Sequence, residues 1–206
     1  MFNLTETDID RVVEFWDWFK SVSNDLILNP TRNDLTIQID SNVSQLGHFD
    51  WEIGPYDANS FYFAISPNLD PNKLNLTHQI IEHAPKCERW HFLSSKPPKE
   101  WQGIWKMKNE LGTEIWVNSS DWKYILYEFE DKTFDMDIMI DDINGNDDTI
   151  NMAIDIALTG FLGEERFMNL IKHINIISFA EESKNKVTSI KDIGKHIESL
   201  LINTIS

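Results

Sequence analysis

Residues 51–68 read WEIGPYDANSFYFAISPN, and they are followed by LNLTHQIIEHAPK (74–86) and ERWHFLSSKPPK (88–99). The reading is strand, turn, strand, helix, strand. Gly54-Pro55 stops the first strand, and Asp57 to Ser60 has turn composition. Phe61 to Ile65 is almost wholly apolar, as suits a central strand. Leu74 to Ala84 carries helical spacing until Pro85 breaks it, and Arg89 to Leu93 returns to strand. Ser95-Lys96-Pro97-Pro98 then forces an extended path.

Upstream, Ile9, Val12, Trp16 and Phe19 recur at three- and four-residue steps, which predicts a helix over 8–26 with Thr7 or Asp8 as its N-cap. Asn29-Pro30 ends it. A second helix from Thr31–Asn33 to Leu46 carries Leu35, Ile39 and Val43 on one stripe, although Ile37 suits a strand as well. Gly47 stands where a helix terminator belongs. Phe49 to Ile53 reads as a strand.

Downstream the pattern is a meander of strands over 104–108, 114–118, 122–130 and 133–141. Asp147 and Asp148 open a helix running through Phe161, a short helix follows over 164–173, Ile174 to Phe179 is a strand, and 189–202 is an amphipathic helix. This irregular interleaving is an α+β pattern. The expectation is one domain over 1–206, with one mostly antiparallel sheet and helices chiefly on one face. Trp16, Phe19, Phe63, Ile65, Trp90, Phe92, Ile125 and Ile138 are its expected core.

The chain has 206 residues, 41% of them hydrophobic, enough for a sizeable core. Cys87 is its only cysteine, which excludes an internal disulfide and points to a reducing compartment. MFNLTETDIDRVV lacks the basic and apolar regions of a signal peptide, and no apolar run is long enough to span a bilayer. The net charge of −16 repels nucleic acid and favours a basic partner.

Half of that charge lies in residues 121–148, which hold 10 acids and 2 lysines, a net of −8. A two-residue turn at Asp131-Lys132 would set Phe129 against Phe134, Tyr127 against Met136 and Ile125 against Ile138. The other face would then oppose Glu128 to Asp135, Leu126 to Asp137 and Trp122 to Asp141. Like charges directly opposite destabilise a sheet, so the pattern asks for a reason. With Asp142, these acids form a candidate docking face for a basic protein, or a weak divalent-cation site. The plainer alternative is a solvated face, or one neutralised by Lys106 and Lys108.

Other constellations carry less. DDINGNDD (141–148) fails the calcium-loop spacing: counted from Asp142, the sixth position is Asp147 rather than Gly and the twelfth is Ala153 rather than Glu. His78 and His83 would splay by about 140° on a helix, and neither they, His91 nor Cys87 makes a zinc pattern. Nucleotide-loop and nucleophile-elbow motifs are missing from the sequence. Glu52, Glu82, Glu164 and Glu165 flank apolar runs and are candidate acid–base groups on that ground alone. Trp90, Trp101 and Trp105 interleave with Lys86, Arg89, Lys96 and Lys99, so Trp90, His91 and Lys96 define an alternative pocket. The plainer reading there is that Trp90 and Phe92 pack inward.

WEIGP (51–55), AISPN (64–68), HAP…W-x-F…KPP (83–98) and LGEE (162–165) together resemble a family of uncharacterised bacterial proteins of unknown function. The resemblance covers most of the chain and implies a bacterial, soluble, cytoplasmic protein, with no catalytic residue or ligand attached. The functional expectation is a non-enzymatic acidic regulator, or an immunity-type neutraliser of a basic toxin-like protein, with no metal or cofactor. The alternative is a small-molecule hydrolase or metal-dependent enzyme using the Trp90, His91 and Lys96 pocket.

Overall fold

A computed structural model describes residues 3–140, 143–177 and 187–202. The chain forms two compact units, 1–96 and 97–206. The class is α+β.

The first unit contains α1 (Glu6–Leu28), α2 (Asn33–Leu46), β1 (Asp50–Pro55), β2 (Phe61–Ser66), α3 (Pro71–Glu82) and β3 (Trp90–Leu93). The helix α1 starts earlier than periodicity suggests, because Thr5 and Asp8 form a reciprocal capping box. Likewise α3 starts at Pro71 behind an Asp70 cap, a start signal that precedes its first apolar residue. The strand order is β1-β2-β3, with β1 antiparallel and β3 parallel to β2. Phe15, Trp16 and Phe19 of α1, with Leu35, Ile39 and Val43 of α2, pack against Phe63, Ile65 and Trp90. The indole of Trp16 donates to the Ile80 carbonyl (2.9 Å) and that of Trp90 to the Ser23 carbonyl (3.2 Å). Each of these bonds satisfies the polar edge of an otherwise buried ring. All the expected core residues are buried except Phe92, which is partly covered.

The second unit contains β4 (Ile104–Lys108), β5 (Glu114–Asn118), β6 (Lys123–Glu128), β7 (Phe134–Met139), α4 (Asp147–Leu162), α5 (Glu164–Leu170), β8 (Ile171–Ile176), β9 (Thr188–Ser189), a 3-10 turn (Ile190–Asp192) and α6 (Ile193–Ile202). β4 and β5 form a separate hairpin, and the larger sheet runs β8-β7-β6-β9. The expectation of one sheet is thus corrected to three. Four of the six described strand pairs are antiparallel. The two parallel ones follow from helices: α3 carries the chain from β2 to β3, and α4 with α5 carries it from β7 to β8. A helical crossover returns a strand in the same direction, which a hairpin cannot do.

Strand β8 begins at Ile171, earlier than expected, because α5 ends at Leu170. Phe179, the expected end of that strand, lies outside the described residues. Along β7, Phe134, Met136 and Ile138 are fully buried, while Asp135 and Asp137 between them remain partly exposed. Trp101 lies against Phe161 (5.4 Å) and Trp105 (5.3 Å), and Trp105 against Trp122 (6.2 Å). A Cβ on Gly160 would collide with the Trp101 ring, so glycine admits this packing.

Candidate functional site

The candidate site is the β6–β7 hairpin with β8 beside it, and its geometry begins at the turn. Phe129 donates its N–H to the Thr133 carbonyl (2.9 Å), and Lys132 donates to the Phe129 carbonyl (3.0 Å). Lys132 is left-handed (φ 66°). The loop is therefore three residues, 130–132, ending on a left-handed residue, not the expected two-residue turn. Asp131 locks it by accepting from both the N–H (3.1 Å) and the hydroxyl (2.6 Å) of Thr133. These bonds hold its carboxyl below the usual carboxylate range.

One extra loop residue slips the pairing by one. Glu128 faces Phe134, Tyr127 faces Asp135, Leu126 faces Met136 and Ile125 faces Asp137. The expected opposition of Glu128 to Asp135 does not occur, and neither do the Leu126–Asp137 and Ile125–Ile138 pairs. Glu128 instead receives the Lys132 ammonium at 2.7 Å. Asp141 and Asp142 lie outside the described residues.

Asp135 and Asp137 share the outer face of β7, roughly 7 Å apart along the strand. The hydroxyl of Tyr127 donates to Asp137 Oδ2 (2.7 Å), and the amide of Asn175 on β8 donates to Oδ1 (3.1 Å). The Tyr127 phenol is pushed up, first by its bond to Asp137. His173 sits across from Asp135 on β8. Asp135 Oδ1 is buried without a hydrogen-bond partner. Among the described residues neither aspartate has an ion pair. The alternative, neutralisation by Lys106 and Lys108, is not found among the described ion pairs: both lie on β4 in the separate hairpin, and the Lys106 ammonium bonds Glu114 (3.3 Å) and lies 5.2 Å from the Trp116 ring centre.

The alternative pocket does not assemble. Trp90 is buried in the first unit's core, His91 is exposed and stacks on Tyr56 (3.7 Å between rings), and Lys96 pairs with Asp50 (2.6 Å). Strand alternation sends Trp90 and His91 to opposite faces. Of the four candidate glutamates, Glu52 accepts from the Tyr62 hydroxyl, Glu82 is exposed, Glu164 is buried and Glu165 is half-buried. No described group of three His, Cys, Asp or Glu is arranged to hold a metal. DDINGNDD behaves as a helix start: Asn146 caps α4, and Glu110 from the β4–β5 tip receives the Thr149 hydroxyl (2.7 Å) and the Asn146 N–H (3.3 Å).

Sequence reasoning missed Asp155. It lies on α4 in a cleft of about 400 Å³ with Asn151, Ile154, Ile174, Asn175 and Ile176, and burial pushes its carboxyl up. Its placement one turn after Asn151 on the polar side of an apolar helix was the available signal. Comparison of the chain with protein-family models, curated proteins and solved structures gave no match. No described helix is long and apolar enough to cross a membrane.

Proposed function

We propose that the protein is a non-enzymatic binding or regulatory protein whose acidic face, formed by β6, β7 and β8, docks a basic protein. The observation that carries this reading is the pair Asp135 and Asp137, two carboxylates on one strand face without a described cation. Asp135 keeps one buried oxygen without a hydrogen-bond partner; a buried polar atom left unpaired costs stability, and such costs are kept most often at working surfaces. Tyr127, 41% exposed beside them, supplies the amphipathic ring that interface centres favour. The charge of −16 supports steering of a basic partner and exclusion of nucleic acid. A single cysteine, Cys87, accords with a reducing, cytoplasmic setting.

The test is an amide-resolved NMR titration with a lysine- and arginine-rich peptide, repeated on the Asp135→Asn/Asp137→Asn double variant. Saturable shifts centred on Tyr127, Asp135, Asp137 and Asn175 are expected. The variant should slow association, by an amount that shrinks as salt rises. Shifts spread over every acidic surface, and unchanged in the variant, would reduce the face to general polyanion behaviour.

A further inference from the structure

Among the described residues, the order β8-β7-β6-β9 leaves β8 at an edge of the sheet. Ile177 donates its N–H to the Ile138 carbonyl (2.9 Å), and N–H directions alternate along a strand. The backbone groups of His173 and Asn175 therefore point toward β7, while those of Ile174 and Ile176 point outward. Such an edge is a template for another strand. Ile176 is 50% exposed and adds an apolar contact beside it. The cleft against α4 opens along this edge, with Asp155 half-buried and without a described hydrogen bond or ion pair.

We propose that β8 is the receptor strand for an extended basic segment of the partner protein, which pairs with the outward groups of Ile174 and Ile176 and seats one lysine or arginine against Asp155. This deepens the docking reading above and rests on it. The choice of occupant follows from charge. A second copy of this chain would bring another −16 and another Asp155 to the edge, and an acidic segment would be repelled in the same way. A cation restores what burial takes from Asp155, and the side-chain oxygen of Asn151, one turn away on α4, can accept a further donor of an ammonium or guanidinium. Lys172, the cation on β8 itself, donates to the Asn169 carbonyl (3.3 Å) and acts on Asp131, at the other end of the strand from Ile176. The segment's cations therefore belong at the Ile176 end. Strand addition supplies affinity through the backbone, and the alternate side chains supply selectivity.

The probe is an octapeptide alternating valine and lysine, with valine–glutamate as its control, added to the full chain. The amides of Ile174 and Ile176 should exchange rapidly in the free protein and slow by about tenfold or more when the peptide saturates. Asp155→Asn should raise the Kd about five- to tenfold by removing the charge partner while keeping the side chain's shape. Ile176→Pro should abolish slowing at Ile174 without unfolding the sheet, because the lost N–H points away from β7. Equal binding by Ile176→Pro, no saturable binding, or amides already protected in the free protein would each overturn the proposal. So would protection that appears without peptide as protein concentration rises, which would make the occupant a second copy. Binding that the Asp135→Asn/Asp137→Asn variant abolishes, with Asp155→Asn and Ile176→Pro unaffected, would sink the strand addition alone and leave the docking face standing.

Discussion

Both units contain the same ββαβ module: an antiparallel hairpin, a helical crossover, and a strand parallel to the hairpin's second strand. They treat their tryptophans in opposite ways. In the first unit the indole N–H groups of Trp16, Trp18, Trp51 and Trp90 all find acceptors. In the second, those of Trp101, Trp105 and Trp122 are buried with none. Trp16 and Trp122 are matched in burial, at 2% and 1% exposed. The difference teaches that burial and anchoring are separate properties. The indoles of the first core are pinned by directional bonds, whereas the three buried indoles of the second are held by packing, with directional bonds left to groups such as the Ser119 hydroxyl on the Gly103 carbonyl (3.0 Å).

The largest expected effect does not discriminate between them. Trp16→Ala and Trp122→Ala should each cost about 3–5 kcal/mol, because both remove a large buried ring. Amide exchange resolved by unit measures this, and a loss under about 1 kcal/mol at either site would show a ring that bears little packing. Replacement by phenylalanine sharpens the contrast. Trp16→Phe takes the indole donor from the Ile80 carbonyl, which keeps the His83 N–H (3.3 Å), and should cost about 0.5–1.5 kcal/mol more than Trp122→Phe, which removes a donor without a described acceptor. Equal losses would end the distinction.

The hairpin tips of the second unit give a smaller test. Residues 109–113 and 129–133 make the same loop, with Gly112 at φ 75° and Lys132 at φ 66°. Gly112→Ala should cost about 1 kcal/mol, because it places a Cβ in the left-handed region. Lys132→Gly should gain a few tenths, since relief of that strain outweighs a surface ion pair of about 0.3–0.5 kcal/mol. Thermal melts decide both, and a loss in Lys132→Gly would mean that the Glu128 contact matters more than the backbone.

The smallest effect appears only across pH. Burial raises the folded-state value of Asp155 above its unfolded one. The stability linked to its protonation is therefore present below the ordinary carboxylate range and lost as pH rises through the raised value. Asp155→Asn should raise Tm at neutral pH and leave it unchanged in acid. A rise of equal size at both would remove burial of charge as the cause.

Element types were largely legible in the sequence, because apolar spacing and Pro or Gly punctuation act locally. The sheet count was not. Nothing in Ile104–Lys108 or Glu114–Asn118 says that they pair only with each other, since that choice depends on which edges the tertiary fold leaves open. The hairpin slip turned on one loop residue, and the clue was the neighbouring tip: Asn109 to Thr113 and Phe129 to Thr133 have equal length and both end in threonine. Lysine in place of glycine at the left-handed position hid the likeness. Asp155 was masked by the apolar residues around it, and its cleft exists only because β8 returns beside α4.

The bond from Trp16 to the Ile80 carbonyl also sets a schedule for synthesis. The aromatic face of α1 gains its anchor and its neighbours Phe63 and Trp90 only after residue 90 has been added. At about 5–20 residues per second, a nascent chain carries Phe15, Trp16 and Phe19 uncovered for roughly 3–15 seconds. During that interval α1 is a sticky amphipathic helix at the ribosome's exit. Its acids, Glu6, Asp8, Asp10, Glu14, Asp17 and Asp25, outnumber Arg11 and Lys20, and a net negative helix opposes the close approach of another copy of itself.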